Sequence, residues 1–173
     1  MMTHEVNSTP VTSYLDERSI PYQLFRHLGV VRSLEQAAQE RGQRVEQIIR
    51  SIVFRISRGG FVMVLVAGEK QVSWPALRKH LGTSRLSMAT EAEVREVTGY
   101  PLGAVSPFGT AQPLRILVDR GALLEPVISI GSGVRYTAVI LHRENFIRAL
   151  GHVELGDFAV EDQLGRSVSG RTE

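Results

Sequence analysis

The segment Gly99 to Gly109, GYPLGAVSPFG, holds three glycines, two prolines, two aromatic rings and one serine, with no charge. Glycine lets a backbone approach a ligand closely. Proline fixes the shape of a loop and lowers its entropy. Free N–H groups in such a loop bind a carbonyl or a phosphate oxygen. The same residues equally fit a buried crossover that only packs. Other chemistries lack their residues. There is no cysteine, which excludes disulfides, thiolate zinc sites and a cysteine nucleophile. His4, His27, His80, His142 and His152 show no metal-ligand spacing, so no metal is expected. The GSG at 131–133 lacks a third glycine, and a strand pattern follows it where a dinucleotide fingerprint needs a helix. There is no P-loop and no G-x-S-x-G elbow. Glu35 with Glu40, and Glu91 with Glu93, read as solvated helix faces. No familiar hydrolase, kinase or metalloenzyme constellation emerges, and no cofactor is expected.

The chain that must position these residues has 173 of them, 43% hydrophobic, which suits one domain with its own core. Net charge is only +2, so bulk charge announces no nucleic acid, and DNA is not an expected partner. Eighteen arginines against two lysines read first as the codon bias of a GC-rich genome. The N-terminus lacks the regions of a signal peptide. The longest apolar run, FVMVLVAG, is too short to span a bilayer. A cytoplasmic protein with no membrane partner is expected. The stretch DQLGRSVSGRTE reads as a loose tail.

Cap signals and periodicity lay out the elements. Thr9 and Pro10 start a helix carrying Val11, Tyr14, Leu15 and Arg18 on one face. PYQLFR alternates as a short strand. Ser33 and Gln36 form a capping box for a helix that closes on Gly42. Ile48 to Ile56 is β-branched and reads as a strand. SRGG turns it into FVMVLVAG, a return strand apolar on both faces and central in a sheet. Ser73 caps a helix that stops at Gly82. RLSMA is a brief strand. Thr90 and Glu93 box a helix that stops at Gly99. Strands follow at LRILVD, PVISIG and VRYTAVIL, and HRENFIRALG is a closing helix. Met63 and Met88 are expected in the core. This order is neither strict βαβ alternation nor all-β. It predicts an α+β fold, a curled and partly closed mixed sheet surrounded by helices.

The segments RVEQIIRSIVFR, GGFVMVLVAGEKQVSWPALRKHLG and RLSMATEAEVREVTGYPLGAVSPFG, followed by the late G-x-G-x-R turn, resemble the YbaK and prolyl-tRNA synthetase-associated editing family. The resemblance runs from about Thr9 to Gly151. It divides the chain into an N-terminal segment 1–8, an editing domain 9–151 and a C-terminal tail 152–173. It implies an enzyme, an aminoacyl-tRNA deacylase that hydrolyses the ester between an amino acid and the 3′-terminal adenosine of a mischarged tRNA. A single domain argues for a freestanding protein that acts in trans to maintain translation fidelity. Its partners would be the tRNA acceptor end and, in some settings, an aminoacyl-tRNA synthetase.

The resemblance also implies a site. The family's G-x-x-x-P element matches Gly103, Ala104, Val105, Ser106 and Pro107, whose backbone N–H groups would hold the aminoacyl carbonyl as an oxyanion hole does. Arg50 stands where the family usually has lysine, and Ser51 follows in the small-hydroxyl position. Arginine cannot exchange a proton near neutral pH, yet it can hold a phosphate or ribose oxygen. Its apolar neighbours Ile48, Ile49, Ile52 and Val53 imply burial, and a buried arginine needs an oxygen partner. The expected catalytic set is therefore Arg50, Gly103, Ser106 and Pro107. His27, Ser51, Tyr100, Ala104, Val105, Phe108, Gly131, Ser132 and Gly133 are the expected substrate contacts. Tyr136 replaces a glycine common in the family, and Ala138 an acidic or polar residue found in some members. The alternative is a member that binds the aminoacyl-tRNA end or a small ligand without hydrolysis, because Arg50 replaces the lysine.

Overall fold

A computed structural model describes residues 8–160. Local signals set most of its helices. In α1 (Pro10–Glu17) the Thr9 hydroxyl accepts from the Thr12 N–H at 3.1 Å, and Thr12 returns the bond to the Thr9 N–H at 2.7 Å. Val11 and Leu15 are then fully buried. A short strand β1 (Gln23–Arg26) follows. Ser33 caps α2 (Leu34–Arg41), while the Gln36 side chain accepts from Arg32 N–H rather than from Ser33, so only half of the expected box forms. Gly42 ends the helix in the left-handed region at φ 66°.

A single 3-10 turn at Val45–Gln47 leads into β2 (Ile49–Ile56) and its hairpin partner β3 (Phe61–Ala67). Strand β3 is central, as its two apolar faces require. It pairs antiparallel with β2 and parallel with β6 (Arg115–Asp119). Short β4 (Gln71–Val72) precedes α3 (Trp74–Leu81), capped by Ser73 and ended by Gly82. Next come β5 (Leu86–Met88) and α4 (Glu91–Thr98), whose Thr90–Glu93 box is complete. After the loop come β6, β7 (Val127–Gly131), β8 (Thr137–His142) and α5 (Arg143–Leu150). Strand β8 begins at Thr137, so Val134 to Tyr136 belong to the turn. Met63 is buried as expected, but Met88 lies at the edge and is 56% exposed.

With β9 (Glu154–Gly156) and β10 (Ala159–Val160), the strands form a five-stranded sheet in the order β5-β2-β3-β6-β9, a three-stranded sheet β1-β8-β7 and a small pair β10-β4. A parallel bridge from Ile48 to Ser129 joins the two larger sheets without closing them. Two apolar layers flank β2 and β3. Ile49, Val53, Met63 and Leu65 face one layer with α1, α4 and α5. Phe54, Val62, Val64 and Val66 face the other with Leu77 of α3. The period of two thus covers both faces of the hairpin.

The ordered chain continues past Gly151. Residues expected in the tail form β9 (Glu154–Gly156), parallel to β6, and β10 (Ala159–Val160), against β4. The rest of that tail, and nearly all of the segment 1–8, lie outside the described residues. Glu154 clamps β9. Its carboxylate accepts from Arg115 Nη2 at 2.8 Å and from Nε at 2.5 Å, and it meets His80 Nε2 at 3.0 Å. The Arg115 hydrogen bond, followed by that of His80, holds the carboxyl down to about 2 from an ordinary 4.5. A depressed folded-state value means that this contribution is complete above about pH 4.5 and is lost as pH falls toward 2. Glu154→Gln should therefore flatten the acid limb of the stability profile. Profiles that coincide with wild type from neutral pH to pH 2 would refute this. The pair is partly exposed, so salt should shrink the difference.

Candidate functional site

The start of β2, the end of β7, the C-terminal turn of α2 and the loop after α4 converge on two adjoining cavities. One is about 310 Å³ and includes Ile48, Ser51, Val105, Ile130 and Gly131 in its wall. The other is about 340 Å³ and includes His27, Ala37, Arg135 and Tyr136. Leu34, Arg41, Leu102, Gly103 and Thr137 line both.

Close backbone contact holds the loop against β7. The Gly133 N–H donates to Ala104 O at 2.9 Å, and Arg135 Nε donates to Leu102 O at 3.2 Å. A Cβ on Gly131 would lie 2.2 Å from Val105 O. Gly131 is thus glycine because the loop backbone occupies the space of a side chain. Gly103 is exposed, at φ 87°, a backbone geometry that disfavours side-chain-bearing residues. Among the described residues no acceptor takes its N–H. Tyr136 stands at φ 63°, which explains why glycine suits this position, and its carbonyl accepts from His27 N–H at 2.8 Å.

The expected site residues divide. Gly103, Val105, Gly131, Arg50 and Ser51 line the first cavity, and His27 lines the second. Ser51 Oγ is buried and has no partner among the described residues. Tyr100 and Phe108 turn away from the ligand space into the core. The Tyr100 hydroxyl donates to the carbonyls of Phe108 and, at 2.9 Å, Gly109. Burial pushes that hydroxyl up to about 12. Phe108 stacks on Tyr14 at 5.6 Å. Ser106 is fully buried and accepts from Phe108 N–H inside the turn, with Pro107 and Ala104 buried beside it. Ser132 is also buried, bonded to Thr137 and to Val134. Gly133 abuts the Tyr100 ring, where a Cβ would lie 2.9 Å from it. Ser106, Pro107, Ala104, Ser132 and Gly133 therefore build the loop and turn without lining either cavity.

Arg50 does find oxygen partners, but within the chain. Its Nε donates to Gly68 O at 2.6 Å and its Nη2 to Lys70 O. Its fork staples the β3–β4 turn. Burial lowers its affinity for a proton, and Glu69 opposes that shift. Beyond this turn lies a larger cavity of about 570 Å³, ringed by Glu35, Glu46, Glu69 and Glu125 with Lys70. Four carboxylates make it a poor host for a phosphate chain.

The cation that sequence reading missed is Arg41. It closes α2, where an arginine ordinarily complements the helix dipole in solvent. Here it turns inward. Its Nε donates to His27 Nε2 at 3.1 Å and its Nη1 to Ser129 Oγ at 2.9 Å. Ser129 donates onward to Gln43 Oε1 at 2.7 Å. Since His27 Nε2 accepts, its proton sits on Nδ1, which faces Glu40 Oε1 at 3.1 Å. Burial draws Arg41 down to about 10, with Glu40 partly offsetting, so the group stays charged at neutral pH. Among the described residues no cluster of His, Asp or Glu could hold a metal ion. No helix there is long and apolar enough to cross a membrane.

The aminoacyl-tRNA editing domain model matches residues 29–149. The proline–tRNA ligase of Thermosipho africanus is 38% identical over 91 residues, 53% of this chain and 16% of the ligase. That of Citrifermentans bemidjiense is 28% identical over 145 residues, 82% of this chain and 25% of the ligase. This chain thus spans a quarter or less of those two ligases. A crystal structure described as a candidate trans-editing enzyme for prolyl tRNA synthetase aligns with a TM-score of 0.80 at 27% identity, covering 88% of this chain and 96% of that one. A hypothetical protein of known structure, at 23% identity and a TM-score of 0.79, shares the fold. With the model spanning well over half of the residues, the chain belongs to the aminoacyl-tRNA editing domain family.

Proposed function

We propose that this protein is a freestanding aminoacyl-tRNA deacylase that removes the amino acid from a mischarged tRNA. The observation that carries this reading is one cavity walled by the uncharged loop, with the unshared Gly103 N–H, and by the buried, unpartnered Ser51 hydroxyl. An ester carbonyl presents the acceptor that both donors lack. Water attacks the carbonyl carbon, negative charge collects on the carbonyl oxygen, and the bond to the ribose oxygen breaks. The ribose oxygen takes a proton, releasing tRNA and the free amino acid. The attacking group is a bound water; where the substrate's own side chain attacks instead, a cyclic acyl product leaves with the ribose oxygen protonated, and water opens it to the free amino acid afterwards. The family resemblance supports the substrate class, and a synthetase partner remains part of the proposal. The test is a panel of mischarged tRNAs. Deacylation well above the spontaneous rate is expected for at least one, and no acceleration for any would overturn the reading.

A second reading has its own observation. The Arg50 fork is already held by the Gly68 and Lys70 carbonyls, so it is poorly placed to act on substrate. A protein whose family lysine has become such a staple would bind the aminoacyl end without hydrolysing it. Arg50→Lys separates the two. A large gain in deacylation would favour the binder, and a loss would favour Arg50 as a working part of the enzyme.

A further inference from the structure

Arg41 is an unusual cation for a pocket wall. Each of its protein hydrogen bonds goes to a neutral acceptor, the His27 ring and the Ser129 hydroxyl. The nearby carboxylate of Glu40 bonds His27 instead. Both N–H groups of Nη2 and one of Nη1 have no acceptor among the described residues. The guanidinium is desolvated and lines both cavities where they meet at Gly103. A desolvated charge with no carboxylate bonded to it is costly, Glu40 offsetting that only in part, and an anionic ligand in direct contact lowers the cost further. The remaining N–H groups match two oxygens of a phosphate. Leu34, Leu102 and Thr137, which share both walls with Arg41 and Gly103, bring no opposing charge.

We propose that Arg41 binds a phosphate oxygen of the RNA acceptor end, fixing the terminal nucleotide so that its ester lies against Gly103. Arg41 thereby takes the anchoring role that sequence reading gave to Arg50. His27 with Glu40, and Ser129 with Gln43, hold the guanidinium from two sides. This rests on the editing reading above, and it adds which residue grips the RNA.

The test measures the affinity of a short single-stranded RNA ending in CCA by fluorescence anisotropy, across a range of salt. Arg41→Met should weaken binding about tenfold and flatten the slope of log affinity against log salt by about 0.7, the value of one single-strand phosphate. Arg41→Lys should recover most of that slope, since it restores the charge. Arg41→Met breaks two internal hydrogen bonds, so its thermal melt is recorded alongside. A ligand-side arm needs no variant at all. RNA whose last linkage alone is a neutral methylphosphonate should bind wild type weakly with the same reduced slope. An unchanged slope in folded Arg41→Met, or wild-type binding indifferent to that neutral linkage, would overturn the proposal. A fall in kcat with slope and KM unchanged would also overturn it, pointing to the ester oxygen instead. Deacylation by wild type is scored separately. If it persists while the slope is unmoved, the Arg41 assignment alone fails. If wild type neither binds the RNA nor deacylates mischarged tRNA, both readings fall.

Discussion

Gly131→Ala is expected to destroy the site and to destabilise the fold by about 3 kcal/mol, the upper end for an overpacked position. The added Cβ would meet Val105 O at 2.2 Å and Ala104 C and O at 2.9 Å. All three are backbone atoms, so no rotamer change relieves the clash. Either β7 or the loop must retreat, and the Gly133 N–H to Ala104 O bond goes with it. Deacylation should fall at least a hundredfold, because the oxyanion donors are useful only while held in place. Gly103→Ala is the matched control. Its Cβ would meet nothing within 4 Å, so only the left-handed φ of 87° opposes it, at about 1 kcal/mol. Denaturant midpoints and deacylation rates of the two variants decide the matter. A Gly131→Ala protein as stable as Gly103→Ala would refute the close-approach explanation.

Asp119→Ala should cost a similar amount, about 3 kcal/mol, at a residue that lines neither cavity. This buried carboxylate accepts from Gly121 N–H at 3.0 Å through one oxygen. Through the other it accepts from Phe158 at 2.8 Å and Ala159 at 3.1 Å. Alanine leaves three backbone donors without their acceptor, and hydrogen bonds to a charged group are the stronger kind. The costs are not additive, because the freed segment can reach water. Asp119→Asn keeps one oxygen for the Phe158 and Ala159 donors and should lose about half as much. Amide exchange in β10 and β4 should accelerate more than in β3. Unfolding free energies of both variants within about 0.5 kcal/mol of wild type would contradict this account.

These two positions show what was legible and what was not. The helix starts at Thr9, Ser33, Ser73 and Thr90 were readable because a cap is a contact over three residues. The central hairpin was readable from its apolar run. Strands β9 and β10 were not, being three and two residues long and specified by distant partners. The loop was recognised as a unit, yet its aromatic members were assigned to ligand when they belong to the core. Nothing local distinguishes an inward Tyr100 from an outward one. The surroundings of the two arginines were illegible for the same reason. Arg50 has an apolar neighbourhood in sequence, but its acceptors are carbonyls 18 and 20 residues on. Arg41 reads as an ordinary last-turn cation, and only partners distant in sequence, Ser129 of β7 among them, make it a wall of the pocket.

The hydrogen-bonded chain through Arg41 also bears on when the pocket comes into being. His27 and Arg41 are 14 residues apart, but Arg41 and Ser129 are separated by 88, and Ser129 and Gln43 by 86. Contacts of such separation carry a large loop-closure entropy and are made late. The β2–β3 hairpin and the capped helices need none of them. In a refolding experiment, secondary structure should recover before the ability to bind RNA, with the docking of β7 onto α2 as the event between them. A nascent chain would thus hold its main sheet before it holds a pocket, and ligand affinity would report the last contacts to form.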